Sequence, residues 1–232
     1  MFRYIRANIP NAITCLNMLC GALACIMAFK NEEILAGLAG YQWAFIFIGA
    51  SAVFDFLDGA MARLLHVYSL IGKELDSLSD LISFGLAPAM LMFNTVGGYS
   101  PGSFWAYVAL VIVIFGGIRL AKFNVDDRQT TSFIGLPIPA NALFWIGTVS
   151  WIHAYTYPGD IALAVLMVLF SSLMVCALPM FSLKFTSFGW KGNYKRYLLL
   201  FAALLFVIFQ GVTGLAWTVL LYIIMSAVSR KA

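Results

Sequence analysis

Four aspartates, Asp55, Asp58, Asp76 and Asp80, fall within 26 residues of a chain in which only 10% of residues are charged. Residues three or four apart on a helix share a face. Asp55, Asp58, Gly59 and Ala62 would therefore form one stripe, and Gly72, Asp76 and Asp80 another. If a tight turn joins two such helices, four carboxylates converge. Carboxylates gathered in a low-dielectric site need protons or bound cations. Ligands that are oxygen alone select hard ions such as Mg²⁺, Mn²⁺ or Ca²⁺. Mg²⁺ commonly combines a few carboxylates with phosphate oxygens, which points to a phosphate-bearing substrate. Gly59, Ala62 and Gly72 strip side chains from the same surface, leaving room for a bulky or flat group. Arg63 adds a fixed cation suited to phosphate.

The elements that position these residues are membrane helices. The chain has 232 residues, 62% of them hydrophobic, with a mean hydropathy of +0.93. A soluble globule of this size could not hide so much apolar surface. Hydrophobic stretches of roughly 20 residues match the thickness of a bilayer. The pattern predicts eight spans: Ile9–Phe29, Ala39–Leu65, Leu75–Thr95, Phe104–Phe123, Ile138–Tyr155, Ile161–Leu178, Arg196–Phe209 and Leu215–Ser229. The expected architecture is one all-α polytopic domain over residues 1–232. Within it lie an interfacial segment at 1–8, a catalytic helix pair at 39–95 and two further helices at 196–229.

Charge placement orients the bundle. With eight spans both termini lie on one side, and 13 of the 14 basic residues fall there, all but Lys30. That asymmetry puts the termini and the aspartates on the cytoplasmic side. Phe2, Tyr4 and Ile5 can dip into the headgroups while Arg3 and Arg6 meet anionic lipid. Trp43, Trp105 and Tyr155 fit interfacial belts. Cys15, Cys20, Cys25 and Cys176 lie in apolar segments without a C-x-x-C pair and read as small core residues. The stretch ending in Gly21–Cys25 is not taken as a cleaved signal, because Asn11, Thr14 and Asn17 interrupt it and more spans follow. No nucleic-acid partner is expected; the bilayer is.

The arrangement D-x-x-D-G-x-x-A-R, eight residues, then G-x-x-x-D-x-x-x-D is similar to the signature of the CDP-alcohol phosphotransferases. Asp55, Asp58, Gly59, Ala62, Arg63, Gly72, Asp76 and Asp80 match every fixed position. The resemblance implies two divalent cations, Mg²⁺ or Mn²⁺, held by the four aspartates, with Asp80 as general base. It implies that Gly59, Ala62, Arg63 and Gly72 accept the cytidine diphosphate, that the protein is a homodimer, and that it sits in a bacterial inner membrane. Pro10, Asn11 and Thr14 resemble the family's Pro-Asn-x-x-Thr opening, so Asn11 and Thr14 are expected at the nucleotide. For Asn11 a helix N-cap after Pro10 is an equal alternative.

The signature does not choose the alcohol. Gly72–Ala89, Arg119–Val125 and Phe133–Ala142 resemble membrane-embedded phosphatidylserine synthases. That resemblance implies CDP-diacylglycerol and L-serine as substrates, with Arg119, Lys122 and Phe123 at the serine. Lys122 stands where arginine is more usual and lacks bidentate geometry. The competing expectation for Arg119 and Lys122 is that they are positive-inside anchors. Gly135–Pro139 is expected to start a helix and to wall the site at most. Asn124, Asp126 and Asp127 are expected to be solvated, His66 and His153 to have no role, and Glu74 to lie off the stripe. Alternatives are the same chemistry with glycerol 3-phosphate or inositol phosphate, and a carrier or metal transporter using the aspartates as an ion path.

Overall fold

A computed structural model describes residues 2–67, 69–125, 133–181, 189–190 and 192–229, with side chains for all of these except 2–7, 133 and 229. Helix α1 spans Phe2–Phe29 and is followed by a minimal hairpin, β1 (Ile34–Leu35) and β2 (Leu38–Ala39). Helix α2 spans Gly40–Leu65. Then α3 (Leu70–Asp80), a π-helical segment (Leu81–Leu86) and α4 (Ala87–Tyr99) form one continuous helical stretch. A 3₁₀ segment (Phe104–Ala109) leads into α5 (Leu110–Val125). Strand β3 (Phe133–Ile134) precedes α6 (Ile138–Ala154) and α7 (Asp160–Val175), and pairs antiparallel with β4 (Pro179–Met180). Last come α8 (Tyr194–Gln210), a 3₁₀ turn (Gly211–Thr213) and α9 (Gly214–Ser229).

Five stretches are long and apolar enough to cross a membrane: Asn8–Phe29, Gly40–Leu65, Leu70–Tyr99, Phe104–Val125 and Tyr194–Val228. This differs from the eight expected, and the reason is physical. Helices α6 and α7 have 17 and 16 residues, fewer than the ~20 that span hydrocarbon unaided. The apolar stretch Tyr194–Val228 is continuous in composition, yet it folds back on itself where Gly211 takes φ +59°. Helix α6 is the buried axis of this half, with Trp145 wholly enclosed. Phe201, Phe209 and Val228 instead point outward, as residues facing lipid do.

Two expectations at the N-terminus change. Helix α1 runs unbroken through Pro10, so the segment expected at the interface is helical from Phe2 and continuous with the first span, and Asn11 is not an N-cap. The expected headgroup contacts of Phe2, Arg3, Tyr4, Ile5 and Arg6 lie outside the described side chains. Cys15 faces outward instead of joining the core; no disulfide forms among the described residues. Arg128, Lys184, Lys191, Arg230, Lys231, Asp126 and Asp127 lie outside the described residues.

Helix α1 packs closest against α2 and also against α3 and the π segment. A Cβ on Gly21 would sit 2.3 Å from Ser83 Oγ and 2.8 Å from its Cα, so only glycine admits this crossing. The Ser83 hydroxyl lies 2.8 Å from Asn17 Oδ1 and 3.1 Å from the Asn17 carbonyl, to which Ser51 also donates at 3.1 Å. Ser79 donates to the Thr14 carbonyl at 3.3 Å. These bonds bind α1, α2 and the α3–π stretch around the aspartates.

Candidate active site

The two aspartate stripes are built by a turn with specific chemistry. His66 closes α2 in the left-handed region at φ +53°, and its N–H and that of Val67 return to the Arg63 and Ala62 carbonyls. Histidine is among the residues that adopt this conformation at modest cost. Ser69 then caps α3, its hydroxyl accepting the Gly72 N–H at 2.9 Å. The reversal brings Asp55 of α2 against Asp76 and Asp80 of α3, with one carboxylate oxygen from each within 4.8 Å of the others. The π-helical segment starts directly after Asp80, a place where such distortions often accompany function.

Asp58 lies one turn further along α2 and is nearly buried. The Thr14 hydroxyl stands 2.7 Å from Asp58 Oδ2 and 3.0 Å from the Pro10 carbonyl, so its single proton serves one or the other. Asp58 is thus held by α1, outside the tight group of three.

Beside the carboxylates opens a cavity of about 500 Å³ between α1, α2 and α3. Asn11 and Thr14 line it from α1, with Gly59, Ala62 and Arg63 from α2 and Gly72 from α3. Asp58 and Asp76 connect it to the acidic group. All six residues expected at the nucleotide therefore share one wall system. A Cβ on Gly72 would come 2.8 Å from Asn11 Oδ1, so the glycine makes room for that amide. A Cβ on Gly59 would meet only Arg63 Nη1 at 3.6 Å. Nothing within the protein demands glycine there; the space it leaves belongs to the cavity.

The cluster fits a divalent cation on its own evidence. Asp76 Oδ1 and Asp80 Oδ1 are buried and have no hydrogen-bond partner among the described residues. Buried carboxylate oxygens without donors are costly, and an all-oxygen set is what a hard cation requires.

The profile of the CDP-alcohol phosphatidyltransferase family matches residues 7–175. This chain belongs to that family. It is 38% identical over 136 residues to a CDP-diacylglycerol–serine O-phosphatidyltransferase of Helicobacter pylori, covering 58% of this chain and 54% of that one. It is 40% identical over 131 residues to the enzyme of the same name in Bacillus subtilis, covering 56% and 69%. The protein of that name in Methanocaldococcus jannaschii is 32% identical over 166 residues, covering 72% of each chain. The chain thus spans about half the length of the Helicobacter relative. Helices α8 and α9 lie beyond the family match.

Within this family member the three residues expected at the acceptor part company. Arg119 of α5 is buried at 7% exposure. Lys122 and Phe123 lie at exposed positions on the last turn of α5. Asn124 corrects the expectation of a solvated loop residue. It belongs to α5, its amide donates to Ser77 Oγ at 2.8 Å, and its carbonyl accepts Lys73 Nζ at 3.1 Å. It therefore ties α5 to the helix that carries Asp76 and Asp80. His66, expected to have no role, lines the cavity with Ser69 and Lys73. Ser69 followed by Gly72 was a legible capping signal; the left-handed turn at His66 was not. Glu74 is exposed and off the stripe, as expected. Gly135–Pro139 opens α6 with proline in its first turn, as expected.

Proposed function

We propose that this protein transfers the phosphatidyl group of CDP-diacylglycerol to the hydroxyl of L-serine, giving phosphatidylserine and CMP. The observation that carries the chemistry is the meeting of Asp55, Asp76 and Asp80 beside the cavity of α1, α2 and α3. The choice of serine is supported by the relatives named for that reaction.

In this reading Asn11, Thr14, Gly59, Ala62, Arg63 and Gly72 receive the cytidine diphosphate, with Arg63 beside its phosphates. Asp55, Asp58, Asp76 and Asp80 hold two divalent cations, Mg²⁺ or Mn²⁺, which neutralise charge on the diphosphate when bound. Asp80 accepts the proton of the serine hydroxyl. The serine oxygen bonds to the phosphorus that carries diacylglycerol, the bond from that phosphorus to the CMP oxygen breaks, and CMP leaves. The acyl chains stay in the bilayer between helices. The serine contacts proposed from the resemblance are Arg119, Lys122 and Phe123, of which Arg119 is the buried one.

The proposed setting is a bacterial inner membrane with eight crossings. Helices α6 and α7 are the short spans, and α8 and α9 cross separately. Both termini and the aspartates face the cytoplasm, supported by the placement of Lys and Arg. The single domain comprises the catalytic pair at 39–95 and the two added helices at 196–229. Homodimerisation rests on the family resemblance.

The test is CMP release by purified protein given CDP-diacylglycerol and Mn²⁺ or Mg²⁺, with L-serine, glycerol 3-phosphate, inositol phosphate or no acceptor. Serine-dependent release is the expected result. Release with another acceptor keeps the site and discards serine; none with any acceptor, in folded protein, returns the carrier alternative.

A further inference from the structure

Two buried hydrogen-bond donors have no partner among the described residues and no role in the family signature: Arg119 Nε and Asn141 Nδ2. Asn141 is wholly buried. Its orientation is fixed by Trp145, whose indole N–H can only donate and lies 3.2 Å from Asn141 Oδ1. The amide nitrogen is therefore turned away from Trp145, toward an acceptor the protein does not supply.

The helices bring these donors toward each other. Ile138 Cδ1 stands 2.9 Å from where a Cβ on Gly116 would lie, so α5 and α6 touch there. Arg119 follows Gly116 by three residues, and Asn141 follows Ile138 by three. The two helices run in opposite senses, and every Cα–Cβ bond leans toward its own helix's N-terminus. Arg119 and Asn141 thus lean toward one another across the contact. A second marker agrees. A Cβ on Gly147 would lie 2.4 Å from the Ala216 nitrogen, which sets the level of α9 against α6. Six residues along each of these opposed helices, Tyr222 comes level with Asn141. The hydroxyl of Tyr222 is already used, donating to the Phe181 carbonyl at 2.8 Å.

Two buried donors that lean back toward one helix contact from either side, one of them cationic, match a planar anion with two oxygens. We infer that Arg119 Nε and Asn141 Nδ2 together hold the carboxylate of an amino-acid acceptor whose hydroxyl reaches Asp80. Asn141 is then a specificity-determining contact. It explains how a site with a metal-type acidic cluster can favour an acceptor that carries a carboxylate over one that lacks it. The inference rests on the proposed serine-transfer reaction.

The test uses the full chain in lipid nanodiscs with CDP-diacylglycerol and Mn²⁺. It compares L-serine with serinol, in which the carboxylate is replaced by a hydroxymethyl group. Wild-type release tests the reaction itself; if it does not depend on serine, the proposed function and this inference both fall. If it does, Asn141→Ala should raise the KM for L-serine about tenfold or more. The KM for CDP-diacylglycerol should move far less, and the preference for serine over serinol should collapse. Asn141→Asp keeps the volume and the partner of Trp145 but removes the donor and opposes a carboxylate, so that preference should fall further. The near-isosteric Asp variant keeps the test open if the Ala variant does not fold. Retention of the serine preference in a folded variant overturns the inference, and so does an equal loss with serine and serinol, which would mark a packing role.

Discussion

Two polar clusters sit at opposite ends of the stretch Leu70–Tyr99 and its neighbours, and they are built on opposite principles. Near one end, Asp55, Asp76 and Asp80 face each other, and Asp76 and Asp80 each keep a buried oxygen without a donor. Past the other end, about 30 Å along the helix axis, Asp160 is surrounded by donors. Ser100 donates to it at 2.7 Å, Tyr157 at 2.5 Å, and Ser103 also donates to it. Tyr99 and Tyr157 stack beside it at 4.5 Å, and His153 stacks on Tyr41 at 3.9 Å. The Asp160 carboxylate is fully partnered and joins the ends of α4 and α7, while His153 Nε2 in the same cluster has no partner among the described residues. The acidic cluster is incomplete as protein alone, and its missing partners are what its chemistry requires. Facing carboxylates with buried oxygens that no donor reaches, more than charge itself, set this site apart from the Asp160 carboxylate.

If that contrast holds, substitution at the two ends has opposite consequences. Asp80→Asn should lower CMP release by roughly a thousandfold or more. It should leave the melting temperature of metal-free protein unchanged or raised, because it removes a like charge. Chelation with EDTA should abolish release, and added Mn²⁺ or Mg²⁺ should restore it. Thr14→Val frees Asp58 from α1 and should cost about tenfold in kcat/KM, with the effect in CDP-diacylglycerol rather than serine. Asp160→Ala should lower the melting temperature, by orphaning three donors, without changing the KM of either substrate. The smallest effect concerns Tyr157. Burial first, then its bond to Asp160, pushes its phenol up to about 12 from an ordinary 10. The unfolded chain then releases this proton at lower pH than the folded one. Stability from this group is complete below pH 10 and lost as pH rises toward 12. Tyr157→Phe should flatten the fall of melting temperature over that window.

The aspartates and the small residues beside them were legible because helical spacing fixes which residues share a face. The turn that joins their stripes was partly legible in Ser69. The polar bonds that lock the stripes together were not. Asn17, Ser51, Ser79 and Ser83 look like interruptions in apolar sequence, and only the crossing of α1 over Ser83 turns them into partners. Asn124 was assigned to a loop because the apolar run stops before it, yet α5 continues to Val125 and its amide finds Ser77. The expected count of eight spans exceeds the five stretches that are long and apolar enough to cross a membrane. The break between α8 and α9 was legible, since the expected spans Arg196–Phe209 and Leu215–Ser229 flank Gly211, but composition cannot show that the 17-residue α6 lies wrapped by other helices. Nor could any sequence pattern show that Arg119 is buried while Lys122 is exposed, since both were expected at the serine with anchoring as the alternative.

The central claim is that the three facing carboxylates are incomplete without divalent metal. Its most direct test is Mn²⁺ binding to metal-free protein in nanodiscs, followed by electron paramagnetic resonance with and without CDP-diacylglycerol. The account predicts saturable binding of about two ions per chain with the nucleotide lipid present, lost in Asp76→Asn and intact in Asp160→Ala. Folded protein that binds no Mn²⁺, or an Asp76→Asn variant that binds as the wild type does, would contradict it.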